Sequence, residues 1–142
     1  MSKSALFRFM RRVRARWHYL RGINRRYLGN RLVNSRQYRL AVDHFDLAVA
    51  FDPAFTQALY DRALLLWREM AQAKQAERDL TRVLEMEPGR SEAVFARAMA
   101  RQMMGETEAA LADFERYLES GDDPMWQAIC RRQIAIIQES EG

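Results

Sequence analysis

Two proline-terminated phrases set the period of this chain. Ala50-Phe51-Asp52-Pro53 and Glu85-Met86-Glu87-Pro88 place their prolines 35 residues apart, and Ala76 precedes Ala110 by 34. Three segments fall into register when small residues are superposed at Leu28-Gly29, Arg62-Ala63 and Arg97-Ala98. Downstream, Ala41, Phe45 and Ala48 correspond to Ala76, Leu80 and Val83, and again to Ala110, Phe114 and Tyr117. Steps of three and four residues mark one face of a helix. A unit this short cannot bury its apolar face alone, so it must stack on its neighbours. Residues 91–104 show the same steps at Ala93, Ala96, Arg97, Ala100 and Met104, with Ser91 expected as N-cap and Gly105 as the stop.

These residues resemble the tetratricopeptide repeat (TPR), with copies at about 22–55, 56–90 and 91–124. The family pattern requires a small residue where the two helices of a repeat meet. Gly29, Ala63 and Ala98 on first helices, and Ala41, Ala76 and Ala110 on second helices, fill those places. Proline then stops the second helix because it cannot extend the hydrogen-bond ladder. The third copy departs, with Gly121-Asp122 in place of proline. The second carries one extra residue in its Met70–Gln75 turn. The first carries Asn34-Ser35-Arg36 where a turn glycine is usual. The resemblance implies an all-α right-handed superhelix of three helical hairpins. Beyond it, Asp123-Pro124 opens a last helix over 125–142. Its stripe of Trp126, Ile129, Cys130, Ile134 and Ile137 fits a capping helix, with Arg131, Arg132 and Gln133 facing away.

A chain of 142 residues with 49% apolar content suits one continuous core. No apolar run nears the roughly 18 residues that span a bilayer. Arginines interrupt every apolar stretch of the first 30 residues, against a secretory signal. One cysteine, Cys130, excludes an internal disulfide and accords with a reducing compartment. The expected location is cytoplasmic or peripheral to a membrane, with organellar targeting as the alternative.

Charge divides the chain in two. Residues 1–42 hold twelve Lys or Arg and no acid; residues 43–142 hold eleven against nineteen acids, giving 11 − 19 = −8. Over residues 1–21, Leu6, Phe9, Met10, Val13, Trp17 and Leu20 fall within an arc of about 100° on a helix. Lys3, Arg8, Arg11, Arg12, Arg14, Arg16 and Arg21 cover the rest, and Gly22 permits a bend before the first repeat. Such a basic amphipathic helix suits an anionic lipid surface, the apolar stripe dipping inward and the cations meeting headgroups. Other uses fit the pattern too. The stripe can cap the first repeat, the arginines can meet RNA phosphates or an acidic protein subunit, or the helix can occupy the chain's own groove.

In TPR proteins the first helices line a concave groove that holds a peptide or helix. Here the resemblance assigns that lining to Arg26, Asn30 and Val33, to Tyr60, Leu64 and Trp67, and to Phe95, Met99 and Met103. Arg26 and Asn30 sit one turn apart, as do the residues that clamp a terminal carboxylate in some members. Asp61 stands where a neutral residue is expected, and Glu92 and Ala96 replace two basic ones, so C-terminal tail clamping is rejected. The implied role is a non-enzymatic scaffold or adaptor for a protein partner, alone or as a subunit of a larger complex.

No catalytic chemistry is legible, and no cofactor or metal is implied. His18 and His44 are the only histidines and lack metal-ligand spacing, and His44 reads as solvated. Cys130 reads as a buried apolar residue. Phosphate loops, nucleophile elbows and paired carboxylates are missing.

Overall fold

The computed structural model describes residues 1–142 as seven helices without strands. They form two compact units, Met1–Met70 and Ala71–Gly142. The first unit holds α1 (Lys3–Leu32), α2 (Ser35–Phe51) and α3 (Thr56–Arg68). The second holds α4 (Ala73–Met86), α5 (Ser91–Met103), α6 (Thr107–Ser120) and α7 (Pro124–Glu141).

Helix α1 runs unbroken for 30 residues, so the bend expected at Gly22 does not form. Glycine inside a helix costs only about 1 kcal/mol relative to alanine. Here close packing offsets that cost. A Cβ at Gly22 would stand 2.6 Å from the Phe45 ring, and one at Gly29 would stand 2.7 Å from the Tyr38 ring. Antiparallel α1 and α2 therefore meet through small residues of α1 (Ala15, Gly22, Gly29) and aromatic rings of α2. Between them Val33 adopts a left-handed φ of 47°, and the Asn34 side chain caps α2 by accepting from the Arg36 amide. The turn lacks glycine and places a β-branched residue in that conformation instead.

The repeat positions form the core. Ala41, Phe45, Ala48, Ala76, Leu80, Val83, Ala110, Phe114 and Tyr117 are all buried. Helices α2 and α4 end just before Pro53 and Pro88. Helix α5 ends ahead of Gly105, whose φ is +74°. Its N-cap is Arg90, and Ser91, the expected cap, is instead the first helical residue and makes no cap bond. The Arg90 side chain spans Glu87 and Glu92 at this junction.

Helix α7 starts as expected, with the Asp123 carboxylate accepting from the Met125 and Trp126 amides and proline at the first turn. Cys130 and Ile137 are buried, and Trp126 stacks on Phe95 at 4.6 Å. Burial raises the Cys130 thiol to about 11, which keeps it protonated and unreactive at neutral pH. Gln133 does not face away. Its side-chain oxygen accepts from the Gln102 amide on α5.

Candidate docking face on the first helix

Helix α1 packs through the face bearing Ala15, His18, Tyr19, Gly22, Arg26 and Gly29. At 100° per residue, that face lies about 180° from the stripe of Leu6, Phe9, Met10, Val13, Trp17 and Leu20. The stripe consequently points away from α2, and its six side chains are 44–65% exposed. Nine of the sixteen exposed large apolar side chains lie on α1. This concentration departs from the single scattered residues normal on a protein surface. The expectation that the stripe caps the first repeat, or lies in the chain's own groove, is not met. Small residues take the packing role, and the bulky ones face out.

The cations flank the stripe on both sides. Arg12 and Arg16 project along one edge, and Lys3, Arg14 and Arg21 along the other. Their guanidiniums lie over rings where these are near: Arg16 over Phe55 at 4.3 Å, Arg21 over Trp17 at 4.7 Å, Arg14 over Phe51 at 5.8 Å. None joins the ion pairs of the unit, which run from Arg26 to Asp61 and from Arg62 to Asp46. Arg8 extends past the end of α2 and is exposed. Arg11 differs from the rest. It turns onto α2 and donates to the Ala50 and Phe51 carbonyls at 2.9 and 3.2 Å, closing the negative end of that helix. Six of the seven assigned cations thus remain available to a surface.

Beneath α1, His18 stacks on Phe51 at 5.6 Å and on His44 at 5.9 Å, with Trp17 edge-on at 4.8 Å. His44 therefore does not sit on a solvated face. Desolvation, followed by the nearby Arg21 charge, lowers the pKa of both imidazoles below the ordinary 6.5. Both pack as neutral rings.

The expected groove residues have different surroundings. Arg26 donates to Asp61 at 2.7 Å, and that buried carboxylate also accepts from Tyr19 and Gln57. Asp61 thus holds internally the cation a ligand carboxylate would need. Asn30 accepts from the Tyr38 hydroxyl, and Val33 is 87% exposed. Arg26, Asn30 and Leu64 border a small cavity of about 140 Å³ with Leu65, Arg68 and Glu69. Tyr60 is buried, and Trp67 lies half-buried with the Arg68 guanidinium 5.0 Å from its ring. In the second unit Phe95 is buried between Tyr117 and Trp126, so its side chain belongs to the core. Met99 is half-buried, and Met103 joins Gln72, Lys74, Arg78 and Met104 around a cavity of about 620 Å³.

One constellation escaped the sequence entirely. Arg97 grips Asp113 with two bonds of 2.8 Å, and Arg101 bridges Asp113 and Glu77 at 2.9 Å to each. Arg97 also donates to Thr81, so α4, α5 and α6 are tied by one partly buried network. The only advance signal was an arginine beside the small residue in Arg62-Ala63 and Arg97-Ala98. No cluster of His, Cys, Asp or Glu could hold a metal ion, and no helix is long and apolar enough to cross a membrane.

Solved structures similar to this chain share one architecture. The Arabidopsis OM64 TPR domain superposes with a TM-score of 0.74 at 22% identity, covering 87% of this chain and 96% of that one. The second TPR domain of human RPAP3, in complex with an HSP70 peptide, gives 0.69 at 21%, covering 87% and 98%. The Sgt2 TPR domain from Aspergillus fumigatus gives 0.64 at 21%, covering 84% and 78%. The fold is that of tetratricopeptide-repeat domains, as the repeat phase implies. No protein-family profile matches the sequence. No curated protein matches it significantly either.

Proposed function

We propose that this chain is a non-enzymatic interaction scaffold that rests on an anionic membrane surface through α1 while its repeats hold a protein partner. The observation that carries the reading is the outward apolar stripe of α1, edged by cations and free of acids. Each cation near an anionic surface contributes about 1 kcal/mol before screening. Six of them, with Phe9, Met10, Val13 and Trp17 entering the headgroup boundary, suffice for reversible attachment. Phosphate tracking on RNA needs the arginines but gives no role to a continuous aliphatic and aromatic stripe.

The holding role draws support from the fold and from similar domains: the RPAP3 and Spaghetti structures contain HSP70 or HSP90 peptides. In this chain the pairing of Arg26 with Asp61 disfavours a ligand recognised by its terminal carboxylate. An internal peptide or helix segment is the better fit.

Vesicle flotation tests the membrane reading. Wild-type protein should float with vesicles containing anionic lipid and stay behind with neutral ones. Arg8→Glu/Arg12→Glu/Arg14→Glu should abolish flotation while leaving the Arg11 cap of α2 intact. Wild-type protein that ignores anionic vesicles, or binds RNA or an acidic protein in preference, removes the proposal.

A further inference from the structure

On the outward side of α1, Trp17, Leu20, Arg21, Asn24 and Arg25 enclose a shallow cavity of about 350 Å³. Its walls differ in chemistry. Trp17 and Leu20, 53% and 65% exposed, supply an apolar side. Arg21, Asn24 and Arg25 complete the lining and bring two cations and one amide to it. Both arginines are partly fixed. The Arg21 guanidinium rests 4.7 Å from the Trp17 ring, and Arg25 donates to Gln37 at 3.2 Å. Holding a side chain in place beforehand reduces the entropy lost when it binds. No carboxylate lines the cavity, and none occurs anywhere on α1.

We propose that this cavity is a headgroup site for an anionic phospholipid of the phosphatidylglycerol type. The proposal rests on the membrane reading and names the lipid that reading leaves open. The phosphodiester would take the Arg21 and Arg25 donors, whose forks match phosphate oxygens. The glycerol hydroxyls would reach Asn24, which both donates and accepts. The upper acyl chain would lie on Trp17 and Leu20, continuing the stripe. A serine headgroup fits less well. It carries an ammonium as well as a phosphate and a carboxylate, and the Arg21 and Arg25 charges repel that ammonium.

Co-sedimentation with full-length protein tests this. Vesicles of neutral lipid doped with phosphatidylglycerol or with phosphatidylserine, at equal surface charge, are titrated in parallel. Wild type should prefer phosphatidylglycerol by about fivefold or more. Arg21→Gln/Arg25→Gln should lose that preference and bind at least about fivefold more weakly than Arg8→Gln/Arg12→Gln, which removes equal charge from exposed positions. Asn24→Ala and Arg21→Lys, which keep the net charge, should retain charge-driven binding and lose only the discrimination. Soluble glycerol phosphate should not compete, because it lacks the acyl part; competition would assign the site to a free phosphate and overturn the lipid. Equal binding to both lipids, or equal losses in the two glutamine pairs, overturns the headgroup site and leaves membrane docking standing. Failure of wild type to bind either anionic vesicle removes both. Helical circular dichroism matching wild type excludes misfolding of a variant.

Discussion

Helices α1 and α7 stand at opposite ends of the chain, and each carries an apolar stripe with a tryptophan. Helix α7 turns Trp126, Cys130 and Ile137 inward over Phe95 and Tyr117. Helix α1 turns Trp17 and its companions outward and packs through alanine and glycine. The difference comes from what lies opposite the stripe. On α7 the reverse face bears Arg131 and Arg132, which water solvates well. On α1 the reverse face bears Ala15, Gly22 and Gly29, which let two backbones approach closely and so compete for the interior. An apolar stripe therefore marks a buried element only when no small-residue face is offered in its place.

The two units also differ in how they are fastened, and this contrast can be broken first. The second unit depends on Asp113, which is buried and holds two arginines. Asp113→Ala leaves both guanidiniums without their shared carboxylate and should cost about 3–5 kcal/mol, read by chemical denaturation. In the first unit the matching weak point is steric. Gly22→Val forces a side chain onto the Phe45 ring and should cost about 1–3 kcal/mol. If Gly22→Val is neutral, α1 does not pack on α2 through this face, and the outward stripe loses its basis.

A pH series sharpens the same comparison with a smaller effect. Both His18 and His44 have folded-state pKa values below the ordinary 6.5. The unfolded chain therefore binds protons that the folded chain resists. Their contribution is fully present above pH 6.5 and is lost as pH falls through the lower folded values. The first unit should melt at a lower temperature at pH 5 than at pH 7.5, and His18→Gln/His44→Gln should flatten that slope. The second unit contains no histidine and serves as the internal control. Thermal melts followed by amide exchange in each unit separate the two.

Much of the architecture was readable in advance, because alanine, glycine and proline at fixed spacing leave few ways to pack. All nine repeat positions on the second helices lie in the core. The unbroken course of α1 was not readable, since a lone glycine is compatible with a bend or a close contact until its neighbour is known. The direction of the α1 stripe was hidden for a similar reason: periodicity reveals an apolar face without revealing what covers it. The Arg97–Asp113 pair joins residues 16 apart on two helices, and the network around it reaches a third, so no local pattern announces it. The packing of His44 was hidden because flanking aspartates suggest solvent, whereas its ring partner, His18, stands on α1.

The orientation of α1 on a bilayer is the most direct test. With Cys130 replaced by Ala, nitroxide labels are placed singly at Val13, on the stripe, and at Asn30, near the opposite end of α1. On vesicles containing anionic lipid, the Val13 label should become shielded from a water-soluble relaxation agent and accessible to oxygen, while the Asn30 label keeps its aqueous exposure. A Val13 label that remains as water-accessible on those vesicles as in free solution would contradict the account.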